Sequence, residues 1–267
     1  MFIADYHTHS NFSSDSNTPL EENIKKAVSL GLKEIACTDH IDYDYPDPEY
    51  PFLFEYEPYI KEIDRLKKKY TEIKIKTGVE IGIQPHVIDK INSLVSNNFF
   101  DFVIASTHVA QDGLDLCANE FFEGKSKHQA YTDYFEEVLS NVKNYDFFNV
   151  YGHIDFINRY GSYEDKTMDY YEFKSLTDEI LKTIISKGKG IEINTSGYRY
   201  GLGHPHPQFE LIKRYKELGG EIITVGSDAH KPEQITFKFD KAYEMLKEAG
   251  FKYITLFTDR KPEFVKF

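Results

Sequence analysis

The sequence predicts an α/β barrel: a parallel sheet rolled on itself and enclosed by helices. Apolar runs of four to seven residues alternate with helix-like stretches from one end of the chain to the other. Strands separated by helical crossovers pair in parallel, and seven or eight such units close into a barrel. A chain of 267 residues has a length ordinary for one such barrel, and no composition break or long linker divides it. Residues 1–267 are therefore expected to form a single domain.

The first strand is expected over Phe2 to Tyr6, running into Asp5-Tyr6-His7-Thr8-His9. Alternation sends His7 and His9 out on the same side, where sharing a cation in their neutral forms relieves their mutual repulsion. Thr18-Pro19-Leu20-Glu21 reads as a helix start, with Thr18 as cap, Pro19 at the first helical position and Glu21 completing the box. Ile24, Ala27, Val28 and Leu30 supply the buried stripe, and Gly31 ends the helix in a left-handed turn. The second strand, Glu34 to Cys37, ends in Thr38-Asp39-His40. Residues 41–57, rich in Pro, Tyr and acid, form a loop long enough to be a lid or a specificity element.

A helix follows from Pro58 to Tyr70, and a third strand from Ile73 to Val79 delivers Glu80. The next helix covers Pro85 to Val95, and the strand Phe102 to Ala105 ends in Ser106-Thr107-His108. After a loop at 109–125 and a helix to Asn144, Phe147 to Tyr151 delivers Gly152-His153. The helix Tyr170 to Ser186, stopped by Gly188, precedes the sixth strand, Gly190 to Asn194, and a turn-rich stretch from Thr195 to Pro207. A helix from Pro207 to Leu218 leads to Glu221 to Val225, which delivers Ser227-Asp228-Ala229-His230. A helix from Asp240 to Ala249 and a strand from Tyr253 to Phe257 close the chain.

Composition narrows the function classes. Lys plus Arg number 32 against 44 Asp plus Glu, a net charge of −12 that repels a nucleic-acid backbone. A small phosphorylated substrate is still admitted, because bound divalent cations reverse the charge of a site locally. Cys37 and Cys117 form no CxxC pair, which points to reduced thiols in a cytoplasmic protein. The chain has neither a basic segment followed by an apolar run at its start nor a stretch as long as a membrane span, so no membrane partner is expected.

Nearly every strand ends in a potential metal ligand: His7 and His9, His40, Glu80, His108, His153, then Asp228 with His230. In a barrel these C-terminal strand ends converge on one face. A histidine after an apolar run is often only a hydrogen-bonded core residue, but that account would have to hold separately at every strand end. An ion that keeps a position for water uses three or four protein ligands, so this set implies two or three metals.

The motifs Asp5-Tyr6-His7-Thr8-His9, Thr38-Asp39-His40, Gly78-Val79-Glu80, Ser106-Thr107-His108, Gly152-His153 and Ser227-Asp228-Ala229-His230 resemble, in order, those of the PHP (polymerase and histidinol phosphatase) family. Chain length and Glu192-Ile193-Asn194-Thr195-Ser196-Gly197 are most similar to its stand-alone histidinol-phosphate phosphatases. The resemblance implies a distorted (β/α)7 barrel with three divalent metal ions (Zn, Fe or Mn) at the C-terminal ends of the strands. It implies a first metal on His7, His9, Glu80 and Asp228, and a second on the bridging Glu80, His108 and His153. A third would take His40, His230 and Asp15, the last standing where many relatives carry histidine and favouring harder ions. Asp5 and Asp39 are expected to orient imidazoles.

On this reading the protein hydrolyses a phosphomonoester, L-histidinol phosphate of histidine biosynthesis. Glu80 and Asp228 act through the bridged metals and the hydroxide held between them. Arg159, soon after His153, and Arg199, after the sixth strand, are placed to grip phosphate. Candidates for the general acid are a metal-bound water, Asp228, His204 and His206, although His204-Pro205-His206-Pro207 reads equally as a rigid turn. The acidic, aromatic loop at 41–57 would pair with the substrate amine and stack on its imidazole. Competing readings are a nucleotide phosphodiesterase or exonuclease of the same family and a non-catalytic metal-binding module. An amidohydrolase, which also begins with HxH, would need a bridging lysine where Glu80 stands. Oligomeric state is left open.

Overall fold

The computed structural model describes residues 3–110 and 113–267; Phe2, the expected start of the first strand, and part of the 109–125 loop lie outside the described residues. Strands β1 (Ala4–Asp5), β2 (Glu34–Cys37), β3 (His40–Ile41), β4 (Lys74–Gly82), β5 (Phe102–Ser106), β6 (Val150–Tyr151), β7 (Gly190–Asn194) and β8 (Ile223–Gly226) form one parallel sheet. Their order is β1-β2-β4-β5-β6-β7-β8, with β3 also paired to β4. The two edges meet through the chain after β1: Tyr6 N donates to Val225 O at 3.0 Å, and His9 N to Ala229 O at 2.8 Å. The sheet is thereby closed into a barrel.

Seven positions make up the wall, because β2 and β3 occupy one of them. Cys37 pairs with Thr77 and His40 with Glu80, an unchanged register on either side of Thr38-Asp39. The ladder is interrupted there, although Asp39 O still accepts the Glu80 amide at 3.1 Å, and the Asp39 carboxylate accepts the Ser10 amide at 2.6 Å. The wall is tight beside the interruption: a Cβ on Gly78 would lie 2.7 Å from Cys37 O, too close for any side chain. Strands β4 to β8 are almost wholly buried, and polar side chains such as Lys76 and Glu80 on β4 and Glu192 and Asn194 on β7 are buried with the apolar ones.

Helices α1 (Leu20–Ser29), α2 (Tyr56–Lys69), α3 (Ile88–Asn97), α4 (Lys127–Asn144), α5 (Tyr170–Ser186), α6 (Phe209–Glu217) and α7 (Phe239–Glu248) connect the strands. In α1 the buried positions are Leu20, Asn23, Ile24 and Ala27, with Leu30 turned outward. Thr18 does not cap this helix. Its hydroxyl donates to His230 O at 2.9 Å, and Asn11 Oδ1 accepts the Leu20 amide instead at 3.2 Å. The tertiary acceptor takes the hydroxyl that the local box would have used. Gly31 and Gly188 end α1 and α5 with φ of 73° and 66°, as left-handed caps require.

The chain ends in an antiparallel hairpin, β9 (Tyr253–Thr258) and β10 (Lys261–Lys266), outside the parallel wall. Asp259 and Arg260 turn it with φ of 49° and 64°, the conformation that matches hairpin twist. It closes the N-terminal mouth: Phe257 N donates to Tyr6 Oη at 2.7 Å and Arg260 N to Asp101 O at 2.9 Å. The exposed, charged β10 carries no alternation that marks it as a strand. Among the described residues, no helix is long and apolar enough to cross a membrane.

Candidate metal centre

The C-terminal ends of the strands bring six histidines and three acids to one mouth. His7 and His9 follow β1, and their rings lie 4.9 Å apart on the same side, as alternation requires. His9 also stacks on His40 at 4.2 Å and on His230 at 4.3 Å. Glu80 stands at the centre, 1% exposed. Its Oε2 faces His7 Nε2 at 2.9 Å, His40 Nδ1 at 3.2 Å and His9 Nε2 at 3.4 Å. Its Oε1 faces His153 Nε2 at 2.9 Å and His108 Nε2 at 3.4 Å. Asp228 Oδ1 lies 3.4 Å from His9 Nε2 and 3.6 Å from His230 Nδ1. Asp15 Oδ2 lies 2.8 Å from His230 Nε2 and 3.8 Å from His40 Nε2.

These donors fit divalent cations. Among the described residues, three groups have ligand atoms within 4.8 Å of one another: His9, His40 and His230; His7, His9 and Glu80; and His40, Glu80 and His108. His9 Nε2 and His40 Nδ1 are buried with no hydrogen-bond partner, a costly arrangement for two imidazole nitrogens unless a cation completes them. Nitrogen and carboxylate donors in this mixture suit Zn, Fe or Mn. Burial, reinforced by the neighbouring His40 and His230, pushes His9 down to about 3 and keeps it in the neutral form a ligand needs. Burial opposes the charges of Glu80 and Asp228 too, but the surrounding imidazoles outweigh it and hold both carboxyls well below their ordinary range.

Two of the histidines are aimed by carboxylates to which the sequence assigned no such role. His7 Nδ1–H donates to Glu192 on β7 at 2.6 Å, and His108 Nδ1–H donates to Asp42 at 2.6 Å. Both carboxylates occupy space kept open by glycine. A Cβ on Gly226 would lie 2.5 Å from Glu192 Oε1, and one on Gly82 2.4 Å from Asp42 Oδ1. His9 Nδ1 meets Ser13 Oγ at 3.2 Å, and that hydroxyl donates to Asp39 at 2.9 Å. Asp5 and Asp39 themselves touch no imidazole. Asp5 accepts the amides of Ser227 at 2.9 Å and Thr236 at 3.0 Å, while Asp39, between β2 and β3, accepts the Ser10 amide and reaches His9 only through Ser13. One signal for Glu192 was legible: Glu192 and Asn194 alternate as polar residues on a strand whose other positions are apolar.

Beside the cluster a cavity of about 340 Å³ is lined by Arg159, Arg199 and the aromatic rings of Tyr45, Phe52, Phe156, Tyr160 and Tyr200, among others. Arg159 Nη2 donates to Asp228 Oδ2 at 3.2 Å. Arg199 grips the strand end itself, donating to Ser227 O and to Asp228 O, each at 2.6 Å. Asp228 has φ of 54°, a conformation that a non-glycine residue holds only when its surroundings fix it. The loop at 41–57 contributes the rings of Tyr45 and Phe52 and one carboxylate, Asp42, which is taken up by His108, whereas Asp44 turns away to Lys90 and His86, both at 3.2 Å. Tyr45 Oη donates to Asp115 Oδ2 at 2.8 Å, tying this loop to the one at 109–125. Of the two proposed loop acids, His206 has both ring nitrogens committed, to Arg159 and to Asp155, and His204 Nδ1 is turned to Pro205 O at 2.7 Å.

A PHP domain model matches residues 5–196. The chain is 36% identical to a histidinol-phosphatase of Lactococcus lactis over 96% of this chain and 95% of that protein. It is 33% identical to a probable histidinol-phosphatase of Clostridium acetobutylicum, over 94% and 95% respectively. In structure it is similar to the Lactococcus lactis histidinol phosphate phosphatase crystallised with zinc, L-histidinol and phosphate. The TM-score is 0.91 at 34% identity, covering 98% of each chain.

Proposed function

The chain belongs to the PHP-domain family, and from that premise we propose that it is a metal-dependent phosphomonoester hydrolase acting on L-histidinol phosphate in histidine biosynthesis. One observation carries this reading: six imidazoles surround Glu80 and Asp228, with His9 Nε2 and His40 Nδ1 buried beside carboxylate oxygens at 3.2–3.4 Å yet making no hydrogen bond. His7, His9, Glu80 and Asp228 would hold one ion, and Glu80, His108 and His153 a second. His40, His230 and Asp15 would hold a third. The face-by-face sharing of Glu80, with one oxygen toward His7, His9 and His40 and the other toward His108 and His153, supports a bridging role.

Divalent ions, when bound, polarise the phosphoryl oxygens and acidify the water that attacks phosphorus. Around them the chain supplies shape and charge. The guanidinium of Arg159, 5% exposed, offers a planar grip on phosphate, and Arg199 fixes the strand end that carries Asp228. Tyr45, Phe52 and Tyr160 give a planar organic group such as imidazole a surface to stack on. The small cavity and the net charge of −12 favour a small ester over a polynucleotide.

Metal analysis of the purified protein, combined with phosphate release from L-histidinol phosphate, p-nitrophenyl phosphate and a dinucleotide, tests the proposal. The expected result is bound Zn, Fe or Mn and preferred hydrolysis of histidinol phosphate. A protein that binds none of these ions, or that cleaves the dinucleotide faster, would overturn it.

A further inference from the structure

Arg159 is held by more than its ion pair. Its Nε–H donates to His206 Nε2 at 3.0 Å, and Nη2 donates to Ser196 Oγ as well as to Asp228. Its Cζ lies 4.9 Å from the centre of the Phe156 ring and 4.2 Å from that of Tyr200. For His206 to accept at Nε2, its proton must sit on Nδ1, and Nδ1–H donates to Asp155 Oδ1 at 2.6 Å. The other Asp155 oxygen accepts from Gln208 N at 3.0 Å and Asn158 Nδ2 at 3.1 Å. His206 and Asp155 are both 0% exposed, and the backbone of His206 pairs with Asn194 on β7 in both directions, at 2.8 and 2.6 Å.

We infer that Asp155 and His206 form a positioning pair that sets the plane of the Arg159 guanidinium. Asp155 fixes the imidazole tautomer, and the lone pair on His206 Nε2 anchors one edge of the arginine. Nη1, which has no hydrogen bond to the described residues, is left for the phosphoryl oxygens. Because Nε2 is occupied in accepting, His206 is not a proton donor to the substrate. The inference rests on the reading that Arg159 grips phosphate, and its test separates the two.

The measurement is inhibition of the metal-loaded enzyme by inorganic phosphate, alongside KM, kcat and metal content, for Arg159→Ala, His206→Phe, His206→Gln and Asp155→Asn. His206→Phe keeps the ring but loses the acceptor, and should raise KM and the inhibition constant for phosphate about tenfold, with metal content unchanged. His206→Gln, whose Oε1 can accept from Arg159, should recover most of that loss and keep the pH profile of kcat/KM. Asp155→Asn, a second route should His206→Phe not fold, should shift phosphate inhibition in the same direction. If Arg159→Ala weakens phosphate while His206→Phe and Asp155→Asn do not, the positioning pair is wrong and the arginine grip stands. If His206→Gln loses kcat as severely as His206→Phe, the imidazole has a chemical role and the inference fails. Unchanged phosphate inhibition in Arg159→Ala would remove the grip itself and the pair with it.

Discussion

The Nδ1–H of His7 and the carboxylate of Glu192 meet at 2.6 Å across the barrel interior, one side chain 0% and the other 1% exposed. Strands β1 and β7 are separated in sequence by most of the chain, so this contact exists only because the barrel closes. It fixes which His7 nitrogen is free to point at Glu80.

Glu192→Ala should therefore weaken metal binding about 10- to 100-fold. Glu192→Gln, which can still accept from Nδ1–H, should lose less. Competition with a chelator at fixed pH reads the affinity. Equal affinity in wild type and Glu192→Ala would show that His7 needs no such partner.

Removing the ions should abolish phosphate release and lower Tm by about 5–15 °C, because a tightly bound ligand stabilises only the folded state. The His9 Nε2 and His40 Nδ1 atoms then lack partners in a buried site. Calorimetry before and after dialysis against chelator, then after adding zinc or manganese, checks both effects. Full activity in metal-free protein would be decisive against the centre.

Arg199→Ala releases the two carbonyls that hold Asp228 at its positive φ. It should lower kcat/KM by about 10- to 100-fold and also reduce metal occupancy, since Asp228 loses its fixed direction. Steady-state kinetics with parallel metal analysis test this. Normal kinetics would remove Arg199 from the site.

Tyr45→Ala should reduce discrimination between L-histidinol phosphate and p-nitrophenyl phosphate about 3- to 10-fold, by loosening the wall latched to Asp115. The ratio of kcat/KM values is the readout. An unaltered ratio would place substrate selection elsewhere in the cavity.

Away from the site, Asp178 receives both Nε and Nη2 of Arg214 at 2.8 Å, joining α5 to α6. Arg214, with Lys174, holds the Asp178 carboxyl below its ordinary range. A depressed folded-state value contributes stability above the unfolded pKa of about 3.9, and that contribution drains as pH falls toward the folded value. Asp178→Asn should cost about 1–2 kcal/mol at pH 7, with the difference from wild type shrinking between pH 4 and pH 3. A difference of Tm that stays constant over pH 7 to 3 would contradict this origin.

By itself the sequence determined the order of the seven wall positions and the helices between them, the closed barrel, and the histidines and acids that stand at the strand ends. Those features are local: an apolar run, its turn, and the period-two alternation that sends His7 and His9 to one side. It also placed Arg159 and Arg199 near the mouth, since both lie in loops after strands. Only the tertiary structure decided which acid aims which imidazole. Glu192 and Asp42 hold His7 and His108, whereas Asp5 and Asp39, though next to histidines in sequence, hold backbone amides and serines. It likewise diverted Thr18 from its helix and committed His206 to Arg159. Those choices depend on register and on glycine gaps at Gly226 and Gly82 between strands remote in sequence, where a hydrogen-bonding group takes the partner that closure brings within 3 Å.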